Sequence, residues 1–114
     1  MRHVVPRSEA APLTEAVLLI LMSLVDKPRH GYALMKEIES LSGGRVRLST
    51  GTLYGALRRL LDDKWIERFE SDDTSREKQT YRLTAAGRRQ LQAELERMKQ
   101  LTRAGTARLR LREA

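Results

Sequence analysis

The chain has 114 residues, 40% of them hydrophobic and 32% charged. That is enough for one small soluble domain with a single core and an added helix, and the absence of cysteine excludes disulfides and thiolate metal sites. A net charge of +7 favours an acidic partner, nucleic acid first, yet Arg97, Lys99, Arg103, Arg108, Arg110 and Arg112 crowd the C-terminus, and a basic tail alone would give that balance.

Met1 to Ala11 has no period and holds Pro6, which predicts a flexible N-terminal arm. Pro12 suits a helix start, where its missing N–H is no loss. A first helix is expected from about Leu13 to Val25. Its run Ala16 to Met22 is apolar nearly all round, so the helix must be sandwiched between the core and another helix of this chain or of a second copy. The same run falls far short of the ~20 residues of a membrane span. No small-residue cleavage pattern comes after it, so a cytoplasmic protein without membrane contact is expected.

Asp26-Lys27-Pro28-Arg29-His30-Gly31 breaks the pattern and is expected to be a connection. A second helix over Gly31–Leu41 buries Leu34, Ile38 and Leu41 and stops at Gly43-Gly44. Arg45-Val46-Arg47-Leu48 alternates, as a short extended piece would.

The third helix, entered from Ser49 or Thr50 as cap and running to Asp62, carries Leu53, Leu57, Leu60 and Leu61 on its buried face. Its other side holds Gly51, Gly55, Arg58 and Asp62, with Tyr54 and Arg59 on the flanks. A glycine in an exposed helix costs roughly 1 kcal/mol against alanine, so two of them one turn apart suggest a surface that something approaches closely. Arginine suits guanine edges, and Ser49, Thr50, Thr52 and Tyr54 suit phosphates. The plain alternative is an ordinary surface helix with a loosely wound first turn.

Trp65–Glu70 and Gln79–Leu83 are rich in strand formers and flank the polar stretch 71–78, which predicts a β-hairpin. Arg76 and Lys78 at its tip are candidate backbone contacts, offset by Asp72, Asp73 and Glu77. A last helix is capped by Thr84 and runs to Leu101 or beyond, with Leu91, Leu95, Met98 and Leu101 as a coiled-coil type seam. Gly105 is expected to weaken the helix toward the C-terminus.

Three helices, a hairpin and a further helix predict a mainly α protein with a small β-hairpin, a winged helix-turn-helix with a C-terminal helix appended. The divisions are the arm 1–11, a DNA-binding domain 12–83, and a dimerisation helix with basic tail 84–114. The third helix then stands where a major-groove reader should be.

The chain resembles the PadR family of bacterial transcriptional regulators, in particular its short members with a single C-terminal helix. The likeness rests on His30-Gly31-Tyr32-Ala33-Leu34, on Ser49-Thr50-Gly51-Thr52-Leu53-Tyr54 with Leu57, and on Tyr81-Arg82-Leu83-Thr84-Ala85-Ala86-Gly87. Gly55 stands where the family often has proline. Lys64 stands where it usually has glycine, so either Lys64 adopts a left-handed conformation or the helix stops earlier. The resemblance implies a homodimeric repressor on a pseudo-palindromic operator. Its interface would lie on the first and last helices, here Leu18, Leu21 and Met22 with Leu91, Leu95, Met98 and Leu101. The implied partners are double-stranded DNA and a second copy; some relatives also take a small aromatic effector, but the last helix here has no aromatic residue, which leaves any effector unassigned.

Two other readings belong to different classes: a winged-helix module that binds protein, and a non-specific DNA binder driven by its basic tail. Nothing suggests an enzyme or a cofactor, since no nucleophile elbow, phosphate-cradling glycine loop or paired-carboxylate site occurs. His3 and His30 lie far apart and have no carboxylate cluster, so no metal is expected.

Overall fold

The computed structural model describes residues 12–69 and 79–113. The expected arm 1–11 and the hairpin tip with Arg76 and Lys78 lie outside the described residues.

Helix α1 (Glu15–Ser23) starts where the Thr14 hydroxyl accepts the Val17 N–H, with Glu15 favourably placed at the positive end of the helix. Leu18, Leu19, Ile20 and Leu21 are all buried. Within the chain, α1 packs on both the second helix and the last helix. It is shorter than expected at both ends, because Thr14 is still extended and Leu24 already leaves helical geometry.

Arg29 then closes the C-terminal end of α1. Its Nε donates to the Ser23 carbonyl at 2.7 Å, and its guanidinium pairs with Asp26 and Glu37. The segment is more than the plain connection its composition predicts. It contains strand β1 (Arg29–His30), which pairs antiparallel with a strand distant in the chain, Arg29 opposite Tyr81 and His30 opposite Thr80. His30 Nδ1 accepts the Ala33 N–H and caps α2 (Gly31–Leu41), whose Leu34 and Ile38 are fully buried. Leu41, expected in the same stripe, is exposed at the end of the helix. Gly43 and Gly44 have φ of +65° and +81°, and the Gly44 N–H returns to the Glu39 carbonyl at 2.7 Å.

Residues 45–48 form no strand. The Val46 N–H is taken at 2.9 Å by the Ser42 hydroxyl, and Arg45 is held by Glu15. Val46 and Leu48 rest on the core without a neighbouring strand.

Helix α3 (Thr50–Asp62) is capped by Ser49, whose hydroxyl accepts the Thr52 N–H at 3.1 Å and donates to the Thr52 hydroxyl at 2.9 Å. Leu53, Leu57 and Leu60 fill the core, and Leu61 is half-buried beside them. The helix ends through Lys64 at φ 63°, the left-handed geometry expected if lysine replaces glycine; the Trp65 N–H reaches back to the Leu60 carbonyl at 3.0 Å.

Strands β2 (Ile66–Phe69) and β3 (Thr80–Leu83) form the wing, with Ile66 opposite Leu83 and Phe69 opposite Thr80. With β1 they make a three-stranded sheet of order β1-β3-β2. Thr84 joins wing to last helix: its hydroxyl donates to the Lys64 carbonyl at 2.7 Å and accepts the Gly87 N–H at 3.0 Å. Gly87 lies so close to the Trp65 backbone that no β-carbon would fit.

Helix α4 (Ala85–Glu113) continues through Gly105, where weakening was expected. At 1.5 Å per residue its 29 residues span about 43 Å. Its first turns pack on the domain: Leu91 is buried, and the buried Glu94 carboxylate accepts the Leu13 N–H at 3.2 Å and pairs with Arg97. Beyond that point the helix leaves the body, in a molecule 60 Å long. Among the described residues no helix is long and apolar enough to cross a membrane.

Candidate nucleic-acid interface

The exposed side of α3 has two flanks. One faces the start of α1 across a groove of about 660 Å³ whose walls include Gly51, Thr52, Gly55 and Arg59. The other faces the wing across a groove of about 320 Å³ framed by Tyr54, Arg58, Arg68, Gln79 and Tyr81. The ridge between them starts at the exposed residues Ser49, Thr50 and Thr52.

The two glycines leave bare backbone: a β-carbon at Gly51 or Gly55 would meet nothing within 4 Å. The helix therefore gains nothing in packing from them, which fits a surface kept low for a partner's approach.

Arg58 and Arg59 diverge, Arg58 toward the wing and Arg59 toward α1. Arg68 on β2 joins Arg58 at the same groove, a neighbour that sequence reasoning did not single out. The signal was faint, an exposed arginine in a short strand. The arginines of the domain divide by partner. Arg29, Arg45, Arg47, Arg82 and Arg97 are paired to acids. Among the described residues Arg58, Arg59 and Arg68 make no ion pair and stand exposed around α3. Unspent guanidinium groups, capping hydroxyls and bare backbone on one face can hold phosphates and base edges.

Tyr54 is placed differently from the other candidates. Its half-buried ring crosses to the start of α2, where the Cζ atom stands 2.8 Å from the position of a β-carbon on Gly31. Tyr32, in contrast, is exposed, with the Lys36 ammonium 5.6 Å from its ring centre. On the wing, Arg82 is spent between Glu67 at 2.8 Å and the Phe69 ring.

The expected interface residues separate into two groups. Leu21 has no exposed surface, Leu91 4% and Leu18 9%. These three lie in the core of the protomer, where α4 of the same chain packs on α1. Leu95, Met98 and Leu101 are exposed on α4, continued by Leu109 and Leu111, and Met22 is half-buried.

Two acids with lowered pKa lie outside this face. Hydrogen bonds from Arg97 hold the Glu94 carboxyl below its ordinary range against the opposing effect of burial, with the Leu13 N–H adding to them. The Arg45 hydrogen bonds do the same for the exposed Glu15. Among the described residues no cluster of His, Asp and Glu could hold a metal ion.

Three helices about one core, the third presented beside a β wing, define a winged helix-turn-helix protein. The family model described as "Transcriptional regulator PadR-like family" matches residues 20–93. The chain belongs to that family. A Streptomyces fradiae relative, described as an uncharacterized 37.1 kDa protein in transposon TN4556, is 40% identical over 88 residues, 77% of this chain. The chain spans only 24% of that relative's length. A Clostridium difficile PadR family transcription regulator has a similar fold, with a TM-score of 0.70 at 23% identity over 84% of this chain and 99% of that one. So has Bacillus subtilis PadR in complex with operator DNA, with a TM-score of 0.63 at 24% identity over 75% of this chain and 48% of that one.

Proposed function

We propose that this protein is a sequence-specific, DNA-binding transcriptional repressor of the cytoplasm that acts as a homodimer on a pseudo-palindromic operator. The observation that carries this reading is the exposed face of α3: Gly51 and Gly55 bare, Arg58 and Arg59 without ion-pair partners among the described residues, and Arg68 of the wing beside Arg58. In this reading α3 enters the major groove, where Arg58 takes a base edge and Ser49, Thr50 and Thr52 hold phosphates near the helix start. Arg68, together with Arg76 and Lys78 of the hairpin, meets the adjoining backbone. The Bacillus subtilis neighbour, which carries operator DNA, supports the choice of ligand.

The dimer is proposed through Leu95, Met98 and Leu101 on α4, with Met22 at its edge. These side chains are too large and too regularly spaced to be left in water on a helix that projects from the domain.

Selection of bound duplexes from a random pool tests this function directly. A palindromic consensus with half-sites about 34 Å apart, one helical turn or a multiple of it, is expected. Retention of every duplex alike would leave only a basic, sequence-indifferent DNA binder. Retention of none would point to a protein partner for the same face.

A further inference from the structure

Beyond Glu96 the long helix α4 is basic without relief: no acid occurs again before Glu113. Arg97 is paired with Glu94. Among the described residues Lys99, Arg103, Arg108 and Arg110 make no ion pair, and all four are exposed. At 3.6 residues per turn, Lys99, Arg103 and Arg110 fall within about 40° of one another around the helix. They form a stripe along one side, with Arg108 nearly opposite. The apolar seam of Leu95, Met98 and Leu101 lies roughly a third of a turn away, so a dimer through that seam leaves the stripe in solvent. Glu96, one turn before Lys99, is the nearest acid on that side and pairs with none of the three among the described residues. Folding does not call for this arrangement. Like charges four residues apart, as at Lys99 and Arg103, weaken a helix. The helix dipole favours cations only in the last turn, which accounts for Arg110 and not for the other two.

We propose that this stripe is a second DNA surface, one that holds the phosphates of duplex DNA whatever their sequence. A line of cations along a straight rod suits a partner whose own charge is strung along a rod, and duplex DNA carries about one negative charge per 1.7 Å of axis. Lys99 and Arg103 stand about 6 Å apart along α4, and Arg103 and Arg110 about 10 Å, so the three reach separate phosphates. Guanidinium and ammonium groups both take phosphate oxygens in charge-assisted hydrogen bonds. The rest of the helix disfavours other polyanions. α4 has no aromatic side chain on which single-stranded bases could stack. Leu109 and Leu111 lie on nearly opposite sides of it, so no apolar face accompanies the stripe into a lipid surface. The stripe adds affinity on every sequence, whereas the proposed role of α3 is to choose among sequences; neither depends on the other.

The experiment titrates selected and scrambled duplexes over a range of salt with the full chain, with Arg103→Gln, with Arg108→Gln and with the triple variant Lys99→Gln/Arg103→Gln/Arg110→Gln. Glutamine forms helix about as well as lysine or arginine, and circular dichroism verifies that each variant is folded. Each cation that meets a phosphate adds about 0.9 to the slope of log affinity against log salt. Arg103→Gln should lose about that much for each helix engaged, and the triple variant about three times as much, with at least a tenfold loss of affinity near 0.1 M salt. Arg108→Gln removes the same charge from the other side and should leave the slope as it is. Both duplexes should weaken by the same factor, which keeps this result apart from the α3 reading. Equal losses in the Arg103 and Arg108 variants overturn the proposal, since charge alone would then suffice. So does a triple variant that binds scrambled duplex like wild type. Loss of binding to a polyglutamate probe with duplex binding unchanged overturns it too, and would give the stripe an acidic protein as partner.

Discussion

The ring of Tyr54 on α3 occupies the space that a side chain on Gly31, the first residue of α2, would need. Two sequence motifs more than twenty residues apart are thus one packing contact, and it fixes the angle between the second and third helices. Gly31→Ala should destabilise the protein by about 1–3 kcal/mol, the usual range for overpacking a filled site. Combining it with Tyr54→Ala should recover part of the loss, since the clash is removed. Urea denaturation of the two single variants and the double variant measures this non-additivity.

Gly55 gives the opposite sign. Its β-carbon would meet open space, so Gly55→Ala should stabilise the isolated protein by about 0.5–1 kcal/mol through helix propensity. On the proposed DNA face the same methyl stands where the duplex approaches, so affinity for the selected operator should fall. Thermal unfolding read beside a DNA titration checks both halves. If affinity is unchanged, DNA does not come close to this side of α3.

Arg58→Ala should cost about 1–3 kcal/mol on the operator and relax base preference at one position. Removing Arg103 to Ala114 should weaken selected and scrambled duplexes alike and flatten the salt dependence. Each phosphate contact contributes about 0.9 to the slope of log affinity against log salt, whatever the sequence. Titrations at two salt concentrations separate the two effects. An Arg58 variant that binds every duplex like wild type would demote α3 to an ordinary surface helix.

The seam can be split from the core by position. Leu95→Glu with Met98→Glu alters exposed residues and should yield a folded monomer by sedimentation. Leu91→Glu buries a charge in the protomer's own core and should unfold it. A persistent dimer in the double variant would move the interface elsewhere.

Glu94 should contribute to the pH dependence of stability in acid. Its carboxyl titrates below the ordinary value of 4.5 in the folded chain, first because of Arg97. A lowered folded value contributes stability that is present above the unfolded value and is lost as pH falls through the folded one. Stability should therefore decline below about pH 4.5, and Glu94→Gln should be less stable at neutral pH with a flatter acid limb. Denaturant midpoints across pH 3–7 give the comparison.

Much of this fold is legible in the sequence, because its helices announce themselves locally. Leu53, Leu57 and Leu60 repeat at helical spacing, Ser49 and Thr84 cap, and Gly43-Gly44 stops a helix. Lys64 is legible even as an exception. The features that escape are set by distant residues. Two residues, Arg29 and His30, have no period to detect; they form a strand only because Tyr81 and Thr80 offer an edge. Residues 45–48 have the alternation and lack the neighbour. Leu21 and Leu91 belong to runs that suit a core or an interface equally, and only the placement of α4 against α1 decides between them. Arg68 gains meaning from Arg58, ten residues away in sequence and across a groove in space.

The junction at Thr84 and Gly87 has a mechanical consequence. Because the start of α4 is locked onto the Lys64-Trp65 backbone at the root of the wing, the long helix and α3 cannot swivel independently. In a dimer of the proposed kind, the pair of α4 rods would act as calipers, and their crossing angle alone would set the gap between the two α3 helices. Whatever opens or closes that angle, even far out near Leu101, would change which half-site spacing the protein can span.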